Sequence, residues 1–236
     1  MSASERRGAT RTAVVWESLR DVLATPGDVL DIGGGTGGFA VRVAELGHRV
    51  SVVDPSPDAL AALSRRAQEF GVADRVTGQQ GELSGLLDVV GEASADVVLC
   101  HGVLEIVDDP AAALATLARV LRPGGTLSLL VAQRHAAVVA RAMAGHFAQA
   151  RAVLAGDSTG KAGHRFTSDE LTALLDGAGF ATRSIHGVRV FADLVPGSLL
   201  DLEPGATQAL LELEQDVATR PEYLPLATQV HVLATH

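Results

Sequence analysis

The apolar positions of this chain fall into two alternating rhythms. Val15, Leu19, Val22 and Leu23 recur at helical spacing through residues 12–23, and Pro26-Gly27 then breaks the chain. Asp28-Val29-Leu30-Asp31-Ile32 reads as a short strand running into Gly33-Gly34-Gly35-Thr36-Gly37-Gly38, after which a helix extends to Leu46 and stops at Gly47. Arg49 to Val53 is a second strand. Ser56 to Phe70 carries a helix with a serine N-cap, Pro57 in its first turn and Gly71 past its end. A weaker strand surrounds Val76. Asp96 to Cys100 is a buried strand, Asp109-Pro110 opens a helix to Leu121, Pro123-Gly124-Gly125 makes a turn, and Thr126 to Val131 forms a fifth strand. Strands with near-continuous apolar runs, separated by helices, predict a parallel sheet covered on both faces.

The pattern changes after residue 132. His135 to Arg151 is Ala-rich and reads as one helix, and residues 155–163 read as a loop. Thr167-Ser168-Asp169-Glu170 is a capping signal for a helix to Ala178. Ala181 to Phe191 alternates as a strand, Thr207 to Val217 is a helical patch, and Val230 to Ala234 is a last strand. The expected organisation is a single domain over residues 1–236, with residues 132–166 and 192–226 as cap segments over the site.

Composition narrows this picture. A chain of 236 residues, 47% hydrophobic and 20% charged, buries one substantial core, and 3% aromatics make that core aliphatic. A net charge of −9 argues on average against nucleic acid. The average hides a local excess: residues 132–191 hold 7 Lys and Arg against 4 Asp and Glu, net +3, so an anionic substrate would be drawn there. Cys100 stands alone, which excludes an internal disulfide and gives no metal framework. No apolar run reaches the roughly 18 residues of a membrane span, and no secretory leader opens the chain. The expectation is a reduced cytoplasmic protein without bound metal.

The glycine run carries the chemistry. Glycines let the chain turn sharply from strand to helix and approach a ligand where a Cβ would clash. Two fingerprints overlap: Gly33, Gly35 and Gly38 satisfy the dinucleotide spacing, while Gly33, Gly35 and Gly37 satisfy the D-x-G-x-G-x-G spacing of methyltransferases. Asp54, ending the second strand, can accept both hydroxyls of a ribose under either. Asp31 tilts the choice, because a carboxylate before the first glycine repels a pyrophosphate and suits an ammonium and a cationic sulfur.

With Val29 to Ala40, Asp54, His101-Gly102-Val103-Leu104-Glu105 and Leu121-Arg122-Pro123-Gly124-Gly125 in view, the chain resembles the class I S-adenosylmethionine-dependent methyltransferases. That resemblance implies a Rossmann-like α/β fold, a seven-stranded mostly parallel sheet whose antiparallel last strand is inserted beside the fifth. Met143-Ala144-Gly145-His146-Phe147, Gly187-Val188-Arg189-Val190-Phe191 and Leu210-Leu211-Glu212-Leu213-Glu214 extend it, over nearly the whole chain, to the bacterial tRNA 5-carboxymethoxyuridine methyltransferases. It implies that Arg11 meets the cofactor's carboxylate, Gly33 and Gly34 line the cofactor, Asp54 holds the ribose, Gly81 and Glu82 flank the adenine, and His101 closes the site. The implied partner is a tRNA anticodon loop.

The chain departs from that family in having only Lys161, His164 and Arg165 in the loop to Arg165, and Ile106 and Val131-Ala132-Gln133 where the family has aromatics. A small carboxylate or phenolic metabolite therefore stays open as the acceptor. His101 and Arg189 are the candidate catalytic residues, Arg189 as an anion clamp in an alternating strand. Arg134 and Arg141 are further candidates for substrate contact. Glu105 reads as a helix-start carboxylate, and the acidic helix Leu210 to Asp216 as a solvated face.

Overall fold

The structure is a computed structural model that describes residues 12–156, 163–200 and 204–236. Its frame is one seven-stranded sheet: β1 (Asp28–Ile32), β2 (Arg49–Asp54), β3 (Val76–Gln80), β4 (Ala95–His101), β5 (Leu121–Ala132), β6 (Ala181–Val188) and β7 (Gln229–Thr235). The spatial order is β3-β2-β1-β4-β5-β7-β6. Strands β1 to β5 pair in parallel, and β7 lies antiparallel between β5 and β6.

Side chains from alternating positions build two cores, one on each face. Leu30, Ile32, Val98, Cys100, Leu129 and Val131 pack with α5 (Pro110–Val120) and α8 (Ser168–Gly177). Val29, Val52, Leu99, Leu130 and Leu233 pack with the helix α1 (residues 12–19), α2 (Ala40–Glu45) and α3 (Pro57–Glu69). Three helices start where capping chemistry predicts. Ser56 Oγ accepts from Ala59 N ahead of Pro57, Asp109 accepts from Ala111 N and Ala112 N ahead of Pro110, and Thr167 with Glu170 closes a capping box. Cys100 is buried core, with its thiol pushed up to about 12 by burial and then by the charge of Glu105.

Four expectations need correction. The turn at Pro123-Gly124-Gly125 is an irregularity inside a longer β5, whose pairing with β4 jumps from Ala95–Leu121 to Val97–Thr126. Next to it, the Arg122 guanidinium bridges Asp28 at 2.9 Å and Asp96 at 2.8 Å, tying the entry ends of three strands together. The Ala-rich stretch is two helices, α6 (Arg134–Met143) and α7 (Phe147–Leu154), because Gly145 adopts a φ of 77° that ends the first. A short helix, α4 (Leu86–Val90), follows a 3-10 turn at Leu83–Gly85, in a stretch where no helix was expected.

The acidic helix is not simply a solvated face. After the short helix α9 (Gly197–Leu200) comes α10 (Ala206–Val217), in which Glu214 is 1% exposed. Its carboxylate accepts hydrogen bonds from the backbone N–H groups of Val190 (2.9 Å), Phe191 (2.7 Å) and Ala192 (2.7 Å). Those three donors converge because Arg189, just before them, takes a left-handed φ of 59°. One carboxylate thereby satisfies a turn that has left the sheet. Glu214→Ala, which strands three buried donors, is expected to lower stability by about 2–3 kcal/mol in urea unfolding, whereas exposed Glu212→Ala shifts it by less than about 0.5 kcal/mol.

Candidate active site

Strand order reverses between β1 and β4: the chain leaves β1 toward β2 and leaves β4 toward β5. At such a switch point the loops after the two strands diverge and open a crevice. The glycine loop occupies the β1 side. Gly33, Gly35 and Gly37 take φ values of 67°, 55° and 79°, which side-chain-bearing residues rarely adopt. Gly38 does not share this conformation, and a Cβ there would meet nothing closer than 3.8 Å. The loop is thus wound on the methyltransferase spacing, and the dinucleotide spacing ends on a position with no special demand.

Carboxylates frame the loop. Asp54 accepts from Gly35 N (3.0 Å) through Oδ2 and from Ser56 N (2.8 Å) through Oδ1, which fixes it at the end of β2 with lone pairs to spare. Asp31 is 3% exposed, and its Oδ2 has no hydrogen-bond partner among the described residues. Burial, then the charge of Asp54, pushes the Asp31 carboxyl up to about 7. Gly34 is glycine for a local reason, since a Cβ there would stand 2.5 Å from that oxygen. A cavity of about 530 Å³ opens beside the loop, walled among others by Gly33, Val53, Gly81, Glu82 and Val103. That is room for a nucleoside.

The structure brings Gly33, Gly81 and Glu82 to that cavity, with Asp31, Gly34, Gly35 and Asp54 arranged around the loop itself. Glu82 accepts from Ser84 Oγ at 2.6 Å. His101, at the end of β4, does not line the cavity. It is enclosed by the Phe39 ring (4.9 Å, edge-on) and Ser128 (2.8 Å), and burial pulls its imidazole down to about 4. Phe39 in turn stacks on Trp16 of α1 at 4.7 Å. Arg11 lies outside the described residues. Arg189 is not in an alternating strand, because β6 ends at Val188; its Nε is 3.4 Å from Asp193.

Two further residues matter. Glu105 does not start a helix: it sits in the turn after β4, where one carboxylate oxygen accepts from Ala132 N (2.9 Å) at the end of β5. Its other oxygen is buried without a partner, and burial raises its pKa. Arg165 was not singled out by pattern reasoning. Its Nε is buried and unpartnered, and burial followed by the like charge of Arg141 lowers its pKa. Arg134 has structural partners instead, Glu170 (2.6 Å) and the Arg165 carbonyl (3.0 Å). In the sequence Arg165 stood out only as one of three cations, with Lys161 and His164, in a loop of the net-positive segment.

These residues fit S-adenosylmethionine. An unpartnered buried carboxylate answers an ammonium, a spare acceptor at the end of β2 answers a ribose, and the loop leaves a close approach open. No helix among the described residues is long and apolar enough to cross a membrane, and no group of three or more His, Cys, Asp or Glu among them is placed to hold a metal.

This fold and this site define an S-adenosylmethionine-dependent methyltransferase. The chain belongs to the methyltransferase-domain family, whose model matches residues 6–185. It is 34% identical over 97% of its length to the Escherichia coli (strain K12) tRNA 5-carboxymethoxyuridine methyltransferase, covering 88% of that protein. It is 35% identical to a Xanthomonas campestris ubiquinone biosynthesis O-methyltransferase, over 52% of this chain and 51% of that one. In structure it resembles an S-adenosylmethionine-dependent methyltransferase from Mesorhizobium loti (TM-score 0.66, 19% identity, 96% of this chain and 100% of that one). It also resembles the Burkholderia thailandensis 1,6-didemethyltoxoflavin-N1-methyltransferase solved with S-adenosylhomocysteine (TM-score 0.58, 23% identity, 96% and 77%).

Two outcomes follow from the loop. Gly37→Ala sets a methyl 2.3 Å from Leu63 Cδ1 on left-handed backbone; it is expected to cost roughly 2–4 kcal/mol, against less than about 0.5 kcal/mol for Gly38→Ala, in parallel chemical unfolding. Asp31 holds its proton more tightly folded than unfolded, so its ionisation penalises the ligand-free fold as pH rises from about 4 to about 7. Ligand-free Asp31→Asn should therefore melt above wild type at pH 8, with the gap closing near pH 4. A gap independent of pH would contradict this.

Proposed function

We propose that this enzyme esterifies a carboxylate, the acceptor being 5-carboxymethoxyuridine at a tRNA wobble position, and that it works in the cytoplasm. The observation that carries the reading is Arg165: a half-buried guanidinium whose Nε has no partner among the described residues, close enough to the Arg141 cation to be repelled by it and to the Glu105 carboxylate to be partly offset by it. Two cations held together with a donor unused form a receptor for an anion. A cavity of about 360 Å³ lined by Arg134, His164 and Arg165 adjoins them. The anion-clamp role falls better to Arg165 than to Arg189, whose guanidinium faces Asp193. The full-length similarity to the E. coli tRNA enzyme supports the choice of acceptor.

The remaining roles are assigned on the same reading. Asp54 accepts from the ribose hydroxyls, Asp31 and the segment at Arg11 hold the two ends of the amino acid moiety, and Gly81 and Glu82 flank the adenine. We assign the described parts of residues 132–166 and 192–226 as the cover of the site. The bound cofactor supplies an electrophilic methyl group on a sulfonium. A carboxylate acceptor is already ionised at neutral pH, so the protein needs no strong base to prepare it. What the chain contributes is alignment of the acceptor oxygen, through Arg165 and Arg141, and exclusion of water. Phe147, 67% exposed on α7 beside the helix that bears Arg141, offers an aromatic face to an unstacked base.

The test offers radiolabelled S-adenosylmethionine with tRNA carrying 5-carboxymethoxyuridine, with unmodified tRNA, and with small aliphatic and phenolic acids. Label is expected in the modified tRNA alone. It should fall by about tenfold or more in Arg165→Ala, and decline steeply with added salt. Transfer to small acids but never to tRNA would overturn the acceptor and favour a small-molecule O-methyltransferase.

A further inference from the structure

One face of the sheet carries a row of polar side chains where its neighbours are aliphatic. Among Leu99, Leu130, Leu233 and Val188 lie His101 on β4, Ser128 on β5, His231 on β7 and His186 on β6. Ser128 and His231 are fully buried. They form a continuous chain. His101 Nε2 is 2.8 Å from Ser128 Oγ, Ser128 Oγ is 2.8 Å from His231 Nε2, and His231 Nδ1 is 3.2 Å from Ser18 Oγ and 3.3 Å from His186 Nδ1. The strand register makes this possible: His231 stands opposite both Leu130 and His186, and His101 opposite Leu130, so each link crosses to the adjacent strand.

The directions of the hydrogen bonds from Ser18 to His101 follow from the Ser18 end, with His186 Nδ1 unprotonated so that the single proton on His231 Nδ1 faces both Ser18 Oγ and His186 Nδ1. Ser18, on α1, donates its only hydroxyl hydrogen to the Val15 carbonyl at 2.8 Å, because a carbonyl can only accept. Toward His231, then, Ser18 Oγ is an acceptor, and the proton lies on His231 Nδ1. A neutral imidazole with a proton on Nδ1 has a lone pair on Nε2, so Ser128 donates to His231. Ser128 has no second hydrogen and must accept from His101, which places the His101 proton on Nε2. The His101 Nδ1 is left with its lone pair, and it is buried without a partner among the described residues.

A second unpartnered buried acceptor stands close by. Asp31 pairs with Leu99 across β1 and β4, two residues before His101, and therefore points to the same face of the sheet. Sheet spacing puts the Asp31 and His101 Cα atoms about 8 Å apart. Neither lines the cavity of about 530 Å³ itself, but both stand at the carboxyl ends of β1 and β4 beside the glycine loop that walls it, and two orphaned acceptors on one face there suit a group with several donors. S-adenosylmethionine brings one, the ammonium of its amino acid moiety.

We propose that Ser18, His231 and Ser128 are positioning residues that fix His101 as its Nε2–H tautomer, so that the Nδ1 lone pair accepts a hydrogen bond from the cofactor's ammonium opposite Asp31. The inference rests on the cofactor and is independent of the acceptor, so failure of tRNA labelling leaves it intact. A protonated Nδ1 would turn a donor toward the ammonium and repel it. The chain thus couples docking of α1, which carries Ser18, to the polarity of the site.

Long-range proton–nitrogen correlation spectra of histidine-labelled enzyme read this directly. In the wild type, His101 should show a protonated Nε2 and an unprotonated Nδ1. The Nδ1 resonance should move on adding S-adenosylhomocysteine, which has the ammonium, and stay in place with 5′-methylthioadenosine, which lacks it. Ser128→Ala should weaken S-adenosylhomocysteine binding about tenfold, the scale of one hydrogen bond to a charged group, and methylthioadenosine binding by less than about twofold. Ser128→Thr, which keeps the hydroxyl, should restore most of the difference. A wild-type Nδ1 that carries the proton, or a bound S-adenosylhomocysteine that leaves it unmoved, would overturn the proposal. So would equal losses for both ligands in Ser128→Ala, since that is what a packing defect produces.

Discussion

The helices that follow β1 and β4 lie on opposite faces of the sheet, α2 with α1 and α3 on one side and α5 with α8 on the other. Both strands are buried and both must exit at the same edge, so the backbone parts there and leaves a gap that no side chain of the sheet fills. The glycine loop, Asp31, Asp54 and His101 all lie at the carboxyl ends of β1, β2 and β4, around that gap. The aliphatic composition makes this geometry affordable. Small and branched side chains on both faces let five parallel strands sit under helices on either side, and the few polar groups left inside are concentrated where the strands end.

Those polar groups differ in how completely the protein satisfies them. Asp54 is held by two backbone donors and Glu214 by three, so each is a fixed structural charge. Asp31, His101, Glu105 and Arg165 each keep a buried atom without a partner among the described residues. A fold that meets nearly all of its internal hydrogen-bonding demand elsewhere leaves those atoms for something that arrives from outside. Asp31 and His101 lie at the exits of β1 and β4, while Glu105 and Arg165 lie together where β5 gives way to the helices after it.

Much of this was legible in sequence. The strand-loop-helix turn, the spacing of Gly33, Gly35 and Gly37, and the caps at Ser56, Asp109 and Thr167 depend on residues close in the chain, and local chemistry decides them. The break at Gly145 was in view but was outweighed by the alanines around it. Glu214 looked solvated because its partners lie 22 to 24 residues away, on a turn that exists only because Arg189 leaves the strand. Arg165 and the row from His101 to His186 were out of reach for the same reason. The row comes from pairing register across β4, β5, β7 and β6 and from Ser18 meeting it from 213 residues away, and Arg165 depends on its tertiary neighbours Arg141 and Glu105; no periodicity encodes either.

The place of β7 has a consequence for how the molecule is made. It threads between β5 and β6 and hydrogen-bonds to both, while β5 and β6 have no contact ladder of their own. Until residues 229–235 have left the ribosome, β5 presents an open apolar edge and β6 has no neighbour at all. The five parallel strands can assemble early, but the two strands beyond β5 join the sheet only after residues 229–235 are synthesised. During that interval the exposed edge of β5 is the surface at which two nascent chains would most readily pair, and the one on which a chaperone would have most to protect.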